Sequence, residues 1–201
     1  MVSPRSIIAI NRVYYRGNLG AYDRHVRALE KTTRYEAFGE LLPAGARILD
    51  AGCGTGVDAL GFTRLGFQVT AIDVSTEMVE HCRTRGIDAR LGTIQGIKFK
   101  GSFDAVWANA SLIHVPHSQI RATLRRLLAA LRRGGFLYVT LWEGLGEGML
   151  HDGRFVSLYG FSEFKGLLCF NGRSEIICSW RTPNRKAGSG PAWMGFLSMK
   201  Q

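Results

Sequence analysis

A short apolar segment that breaks into alternating glycines constrains this chain more than any other feature. Residues 48–56 read Ile-Leu-Asp-Ala-Gly-Cys-Gly-Thr-Gly. The pattern predicts a buried strand that turns sharply into a helix, because glycine tolerates strained turns and lets a ligand approach bare backbone. Val57 and Asp58 follow where a pyrophosphate-binding loop would continue to its own third glycine. Asp50 would repel a pyrophosphate and suits a ligand that carries a cation or an amine.

Length and composition indicate a single globular domain. The chain has 201 residues, of which 46% are hydrophobic and 21% are charged, values typical of one α/β domain with a full core. No apolar run is long enough to span a membrane, and the apolar patch near the start is too short for an export signal. The four cysteines form neither a C-x-x-C pair nor a metal-binding spacing with histidine. We therefore expect free thiols, a cytoplasmic location and no membrane contact.

The chain is strongly basic, with a net charge of +10. Such a charge is typical of proteins with an anionic partner, such as nucleic acid, phosphate or acidic lipid. A solvated basic surface is the simpler interpretation, and the sequence favours it because no long block of basic residues occurs. Several arginines instead lie on or after one predicted helix, where their stems cover apolar surface: Arg121, Arg125, Arg126, Arg132 and Arg133.

Strand and helix periodicities alternate along residues 22–142. Glycine or proline ends the predicted helices, and Ser75 and Ser118 are the expected N-caps of two of them. Short alternating segments of this kind predict a doubly wound parallel sheet. The predicted strands are 47–50, 67–73, 88–91, 103–108 and 136–142, and the predicted helices are 22–41, 57–65, 75–86 and 119–132.

The pattern changes after Glu143, where four glycines predict a flexible loop. The elements expected after it are a helix over 162–168 and two strands over 173–180 and 192–199, joined by a loop over 181–191. Five parallel strands and a terminal antiparallel pair predict a seven-stranded α/β sheet in one domain over 1–201. Its expected parts are a helical cap (1–44), a ligand-binding core (45–142) and a terminal segment (143–201).

Asp73 is the second signal for a ligand. It ends the second predicted strand, 17 residues beyond Gly56. In doubly wound nucleotide-binding folds a carboxylate at this place accepts hydrogen bonds from both ribose hydroxyls. The alternative is that Asp73 only caps the following helix. The glycine loop upstream favours the ribose interpretation, and together the two features predict a nucleoside ligand.

The motif Asp-x-Gly-x-Gly-x-Gly over 50–56 resembles motif I of the class I S-adenosylmethionine (SAM)-dependent methyltransferases. From Tyr14 to the end, the chain is similar to a small bacterial subgroup close to the tellurite-resistance-type methyltransferases. The segments that carry this resemblance are 42–56, 107–116, 131–140 and 152–155. It implies a Rossmann-like methyltransferase fold, SAM as cofactor and S-adenosylhomocysteine (SAH) as product.

The resemblance also implies which residues contact the cofactor. The first two glycines and Cys53 line the methionine end, Asp73 and Val74 the ribose and adenine, and 109–111 the sulfonium side. One departure concerns adenine: Thr93 and Ile94 stand where the family usually places an acidic residue, so recognition is expected to depend on backbone and packing. The complete expected set is Asp50, Gly52, Cys53, Gly54, Gly56, Asp58, Asp73, Val74, Ser75, Met78, Thr93, Ile94, Asn109, Ala110, Ser111, Tyr14 and Tyr22.

The segment after the fourth strand argues against several specialised chemistries. It has no Asn/Asp-Pro-Pro-Tyr for amino-group methylation, no Pro-Cys nucleophile and no acidic cluster for magnesium. His114 is its one titratable group, and we predict a general base there, with hydrogen bonding to backbone as the alternative. Tyr15, Trp107, Trp142 and Arg154 are the other expected acceptor-binding residues. Arg154 would bind an anionic acceptor or remain an exposed loop residue.

We therefore predict a metal-independent methyltransferase for a small-molecule acceptor with an oxygen, nitrogen or soft nucleophile. Placing the acceptor in line with an activated methyl group supplies much of the acceleration. Two alternatives stay open: an RNA or protein methyltransferase that uses the basic surface, and a SAM-binding protein without catalysis.

Overall fold

The computed structural model describes residues 3–29, 32–182 and 191–201. Three helices come first: α1 (Pro4–Gly17), α2 (Leu19–Ala28) and α3 (Thr32–Gly39). Ser3 caps α1 by accepting a hydrogen bond from the Ser6 amide, and Pro4 occupies the first turn, where its missing N–H costs nothing. The prediction of one helix over 22–41 is wrong. α2 ends at Ala28, α3 is a separate helix, and residues 30 and 31 lie outside the described residues.

A seven-stranded sheet follows, with the order β3-β2-β1-β4-β5-β9-β8. The first five strands are parallel to one another, whereas β9 runs antiparallel to β5 and β8 antiparallel to β9. This confirms the α/β sheet expected from the sequence. The strands are β1 (Arg47–Ala51), β2 (Gln68–Asp73), β3 (Asp88–Leu91), β4 (Phe103–Asn109), β5 (Leu131–Trp142), β8 (Ser174–Thr182) and β9 (Trp193–Lys200).

The strand order reverses direction at β1, which pairs with β2 on one side and β4 on the other. Asp50 of β1 lies opposite Ala71 of β2 and Trp107 of β4, so the carboxyl ends of three strands meet at one edge. Such a switch point is where open α/β sheets form their ligand crevice. The fold therefore places the glycine loop, Asp73 and the loop after β4 side by side.

Helices cover both faces of the sheet. The N-cap of α5 is Ser75, as predicted, and accepts a hydrogen bond from the Met78 amide. α6 begins after Pro116, not after Ser118, and ends at Ala130, because Leu131 already pairs with Phe103 of β4. The helices are α4 (Val57–Arg64), α5 (Thr76–Arg83), α6 (His117–Ala130) and α7 (Phe161–Leu168).

The core divides between the two faces. On the face covered by α6 and α7, aliphatic side chains such as Leu124, Leu127 and Val139 are fully or almost fully buried. The opposite face holds an aromatic cluster, in which Trp107 stacks on Tyr138 with ring centroids 3.7 Å apart. Burial of these apolar side chains is the main favourable contribution to folding.

The segment after Glu143 is more ordered than predicted. Strands β6 (Glu147–Met149) and β7 (Phe155–Ser157) form a two-stranded sheet where the sequence predicted a flexible loop. β8 and β9 form the expected antiparallel pair, but residues 183–190 of the predicted connecting loop lie outside the described residues. Within the described part of the chain, no helix is long and apolar enough to cross a membrane.

Candidate functional site

A cavity opens at the switch point, between the carboxyl ends of β1, β2 and β4 and the N-terminal helices α1 and α2. It contains about 740 Å³ of empty space, counting the solvent at its open mouth. Thirteen of the residues predicted for the site line this cavity: Tyr15, Tyr22, Gly52, Gly54, Asp73, Val74, Met78, Thr93, Ile94, Asn109, Ala110, Ser111 and His114.

The three glycines of the loop after β1 have different roles. All have positive φ, which L-residues adopt only at a cost. A side chain at Gly54 would meet the Tyr22 ring at 3.0 Å within the cavity wall. Gly56 instead faces Cys82 and Ile87 on the buried side, where a side chain would clash at 2.7 Å. Gly56, which was predicted to contact the cofactor, therefore lies outside the cavity wall.

Asp73 stands at the end of β2 with its carboxylate toward the glycine loop. Its two oxygens accept hydrogen bonds from the amides of Gly54 (3.0 Å) and Ser75 (2.9 Å). Burial raises the pKa of this carboxyl, and the backbone amides of Ser75, Gly54 and Val74 oppose that rise. Each carboxylate oxygen keeps a further lone pair for a ligand donor.

Two acidic residues predicted for the cofactor lie behind the loop and do not line the cavity. Asp50 is 2% exposed, and burial and repulsion from Asp58 raise its pKa well above the usual range. Asp58 accepts hydrogen bonds from Tyr35 (2.6 Å), Trp107 (2.8 Å) and Asn109 (2.8 Å). Its carboxylate is therefore a structural junction between α3, α4 and β4.

The loop after β4 is held in a strained conformation. Ala110 has a φ of 56°, the one positive φ among the described non-glycine residues. Its amide donates to the carbonyl and the hydroxyl of Thr140, both at 3.0 Å. The Ser111 hydroxyl is buried at the cavity wall without a hydrogen-bond partner. Strain and an unpartnered polar atom of this kind are concentrated at functional sites.

Helix α1 closes the cavity from above. Asn11 is 4% exposed, and its amide exchanges two hydrogen bonds with the backbone of Phe155 in β7, at 3.1 and 2.8 Å. On the other side, Arg12 donates to Thr76 at 2.7 Å and Arg16 pairs with Glu77 at 3.3 Å. α1 thus bridges β7 and the start of α5.

His114 lies under α1, in a 3₁₀ turn over Leu112–His114. Its Nδ1 is 2.9 Å from the carbonyl oxygen of Phe155, and its Nε2 is 2.8 Å from the Tyr15 hydroxyl. Burial lowers the pKa of His114 to about 4, so the ring is neutral at pH 7. Nδ1 therefore makes the backbone contact that the sequence offered as the alternative, and Nε2 faces Tyr15.

Several other residues predicted for the site lie outside the cavity wall. Trp107 is fully buried in the aromatic cluster, because its indole N–H is held by Asp58. Arg154 pairs with Asp152 through two nitrogens, at 2.9 and 2.6 Å, and its guanidinium lies near the rings of Tyr14 and Trp142. Neither ring lines the cavity, and an anion would have to compete with Asp152 for Arg154.

Ser75 and Cys53 also lie outside the cavity wall. Ser75 is occupied as the cap of α5, where its hydroxyl also donates to Glu77 at 2.7 Å. The Cys53 thiol turns toward Cys82, with the sulfur atoms 3.9 Å apart. No group of three or more His, Cys, Asp or Glu side chains in residues 3–29, 32–182 and 191–201 is arranged to hold a metal ion.

Five residues of the cavity wall were not predicted: Ile8, Asn11, Gly92, Gln95 and Val115. Gln95 directly follows Thr93 and Ile94, which were predicted, so extending that segment by one residue would have included it. Ile8 and Asn11 belong to α1, which contacts β7. The two elements are distant in the sequence, so no local pattern of residues predicts this contact.

Comparison with known proteins agrees with this geometry. Residues 48–135 match the sequence family described as a methyltransferase domain. A curated relative, a ubiquinone biosynthesis O-methyltransferase of Xanthomonas axonopodis pv. citri, is 39% identical over 108 residues, which cover 50% of this chain and 44% of the relative. The chain thus spans less than half the length of the curated relatives it matches.

Solved structures share the fold over a longer stretch. A Burkholderia thailandensis 1,6-didemethyltoxoflavin-N1-methyltransferase, crystallised with 1,6-didemethyltoxoflavin and SAH, aligns with a TM-score of 0.79 and 23% identity over 100% of this chain and 92% of its own. A SAM-dependent methyltransferase of Methanosarcina mazei gives a TM-score of 0.73 and 19% identity over 82% of this chain and 96% of its own. This chain therefore shares the Rossmann-like fold of these methyltransferases, and its residues 48–135 resemble a methyltransferase domain; none of these matches identifies the tellurite-resistance subgroup.

Proposed function

We propose that this chain is a SAM-dependent methyltransferase that acts on a small-molecule acceptor. The observation that carries the proposal is the convergence of three features at one cavity: the bare backbone of Gly52 and Gly54, the carboxylate of Asp73, and the strained loop over 109–111. The glycine backbone and the Asp73 carboxylate suit a nucleoside ligand. The strained loop over 109–111 lies beside them, where the methyl group would be transferred.

The residues present fit SAM on three observations. Gly54 and Tyr22 line the same cavity, and a side chain at Gly54 would meet the Tyr22 ring at 3.0 Å. The backbone at Gly54 is therefore bare where the ligand would approach it. Asp73 has lone pairs for ribose hydroxyls, and Ser111 of the cavity wall has a buried hydroxyl without a hydrogen-bond partner beside Gly52. When bound, SAM supplies an activated methyl group on a sulfonium, which leaves without help from a metal.

We propose that Val74, Met78 and Ile94 enclose the adenine ring, and that Gln95 supplies the polar contact that the missing acidic residue would make. All four line the cavity on the side of β2 and β3. A glutamine amide both donates and accepts, so it suits an adenine edge, which offers an amino group beside a ring nitrogen.

The position of α1 over the cavity supports a small acceptor. Asn11 and Arg16 fasten α1 to β7 and to α5, so this helix covers part of the cavity and limits the size of an acceptor that can reach it. The names of the relatives point the same way: one is an O-methyltransferase of ubiquinone biosynthesis, and the other methylates N1 of 1,6-didemethyltoxoflavin.

We propose His114 as the base that receives the acceptor's proton. Its Nδ1 lies against a carbonyl, which only accepts hydrogen bonds, so the ring proton is on Nδ1 and the lone pair on Nε2. The lowered pKa keeps Nε2 unprotonated at pH 7, so it can receive a proton that reaches it through its hydrogen bond with Tyr15. General-base assistance of this kind contributes about 10²–10⁴-fold to a rate.

The proposal is tested by incubating the protein with SAM and fractions of a bacterial extract, and by measuring SAH. We expect SAH to form with the fraction below about 1 kDa and not with the RNA or protein fractions. SAH that forms only with RNA, and falls steeply with added salt, would support the alternative that uses the basic surface. No SAH with any fraction, together with tight SAM binding, would indicate a binding protein without catalysis.

A further inference from the structure

The hydrogen bonds of His114 leave no nitrogen free to meet an acceptor directly. Nδ1 donates to the Phe155 carbonyl at 2.9 Å, and Nε2 accepts from the Tyr15 hydroxyl at 2.8 Å. The Tyr15 hydroxyl must be the donor in the second bond, because Nε2 carries no proton. Any proton that reaches Nε2 in this arrangement passes through the Tyr15 oxygen.

The Arg154 guanidinium lies near Tyr15 and opposes the rise in the pKa of its phenol. Asp152 holds that guanidinium through two nitrogens. A phenol oxygen has two lone pairs, so the Tyr15 hydroxyl can donate to His114 and still accept a hydrogen bond. Tyr15 lines the cavity, and a ligand there can supply that hydrogen bond.

Building on the proposed function, we propose that Tyr15 takes the acceptor's proton and passes its own hydroxyl proton to His114. As the acceptor oxygen or nitrogen bonds to the methyl carbon and the bond from sulfur to that carbon breaks, the acceptor's proton moves to the Tyr15 oxygen. The Tyr15 hydroxyl proton moves to Nε2 in the same step. The products are a methylated acceptor, SAH, neutral Tyr15 and a protonated His114, which later releases the proton to solvent.

The charged groups around this pair suit a transient negative charge on the Tyr15 oxygen. Burial raises the pKa of Tyr15, and the Arg154 guanidinium counteracts that rise. Asp73 and Tyr14 face Tyr15 at longer range, while Arg154 and Asp152 act on His114 with opposite signs. Arg154 therefore stabilises the proton-poor phenol during the transfer and does not bind the acceptor itself.

Asn11 is a positioning residue for the pair. Its amide bonds both backbone groups of Phe155, and the Phe155 carbonyl is the acceptor that fixes the His114 ring. Tyr15 follows Asn11 by one helical turn on α1, so the same clamp sets the distance between the phenol and the imidazole.

The competing explanation is that the bond between Tyr15 and His114 only fastens α1 over the cavity. The two explanations differ in their pH dependence. If Tyr15 relays the proton, an acceptor that ionises by itself at high pH no longer needs the relay, so the defect of Tyr15→Phe shrinks as pH rises. If the bond only fastens α1, Tyr15→Phe loosens that helix, and the loss of activity does not depend on the ionisation of the acceptor.

The test compares Tyr15→Phe, His114→Asn and the double variant, with SAM and the extract fraction below about 1 kDa as the acceptor source. We expect each single variant to lower SAH formation by about 10²–10⁴-fold at pH 7, the double variant to be no slower, and SAH affinity to stay within about threefold. Tyr159→Phe is the matched control, because that buried hydroxyl has no hydrogen-bond partner and lies outside the cavity. Tyr15→Phe activity above about one tenth of wild type, or a defect that is the same at every pH, would overturn the relay.

A second readout needs no turnover. Nitrogen-15 NMR of the histidine rings, assigned with His114→Asn, is expected to show the Nδ1–H tautomer of His114 and a shift of its Nε2 resonance in Tyr15→Phe. An Nε2 resonance of His114 that does not shift in Tyr15→Phe would overturn the relay even if no acceptor is found. Absence of SAH formation by the wild type, with the NMR result as expected, would count against the proposed function alone.

Discussion

Removal of the Asp58 carboxylate is expected to lower the free energy of unfolding strongly and to leave the contacts with the cofactor unchanged. Oδ2 of Asp58 accepts from the Trp107 indole and the Asn109 amide, and Oδ1 accepts from the Tyr35 hydroxyl. In Asp58→Ala the indole and amide N–H groups lose their acceptor, and neither group can accept instead. A stranded buried donor costs about 1–3 kcal/mol, so we expect a loss of about 2–6 kcal/mol.

Asp58→Asn is the matched comparison. Its amide oxygen can still accept from Trp107 and Asn109, while its NH₂ faces a hydroxyl oxygen that accepts. Only the contribution of the charge is lost, and we expect a cost of about 1–2 kcal/mol. Removing an exposed ion-paired carboxylate by Asp88→Ala should cost less than about 1 kcal/mol.

Urea unfolding at 25 °C measures all three variants, with the slope of the transition as a check on two-state behaviour. SAH affinity of Asp58→Asn should remain within about threefold of wild type, because Asp58 does not line the cavity. The reasoning would be refuted if Asp58→Ala were as stable as Asp88→Ala, or if Asp58→Asn lost SAH affinity while remaining folded.

Three further predictions concern the cavity and its surroundings. The pKa of His114 is about 4 in the folded protein and ordinary in the unfolded chain, so the unfolded state binds more protons between these two values. The free energy of unfolding of the wild type should therefore fall by about 1–2 kcal/mol more than that of His114→Asn between pH 7 and pH 5. Equal decreases for the two proteins in urea titrations would contradict this. Gly54→Val should abolish SAH binding in calorimetry with the fold largely retained, since its side chain would meet the Tyr22 ring; retained affinity would show that the loop does not approach the ligand. Methyl transfer should survive EDTA, and loss of activity restored by magnesium would show that the site needs a metal.

The sheet could be predicted from the sequence because its signals are local. Alternating apolar runs, the glycines at 52–56 and the Ser75 cap each depend on a few neighbouring residues. The same locality explains why Asp73 could be placed at the cavity, since the end of a parallel strand next to a glycine loop has a fixed position in such folds.

The roles of individual side chains could not be predicted in the same way. Asp58 and Trp107 look like site residues by position, but they bond to each other across 49 positions of sequence. Arg154 was predicted to bind an anionic acceptor, but its guanidinium pairs with Asp152. These outcomes depend on contacts between distant segments, which periodicity does not encode.

The central claim is that this cavity binds SAM and its product through Asp73. Calorimetric titration of SAH into the wild type and Asp73→Ala, with Asp88→Ala as a control from the neighbouring strand, tests it most directly. We expect one site in the wild type, an unchanged affinity in the control, and an affinity weakened about 10- to 150-fold in Asp73→Ala, corresponding to about 1.5–3 kcal/mol for lost hydrogen bonds to a charged group. No binding of SAH by the wild type, or equal affinities of the wild type and Asp73→Ala, would contradict the claim.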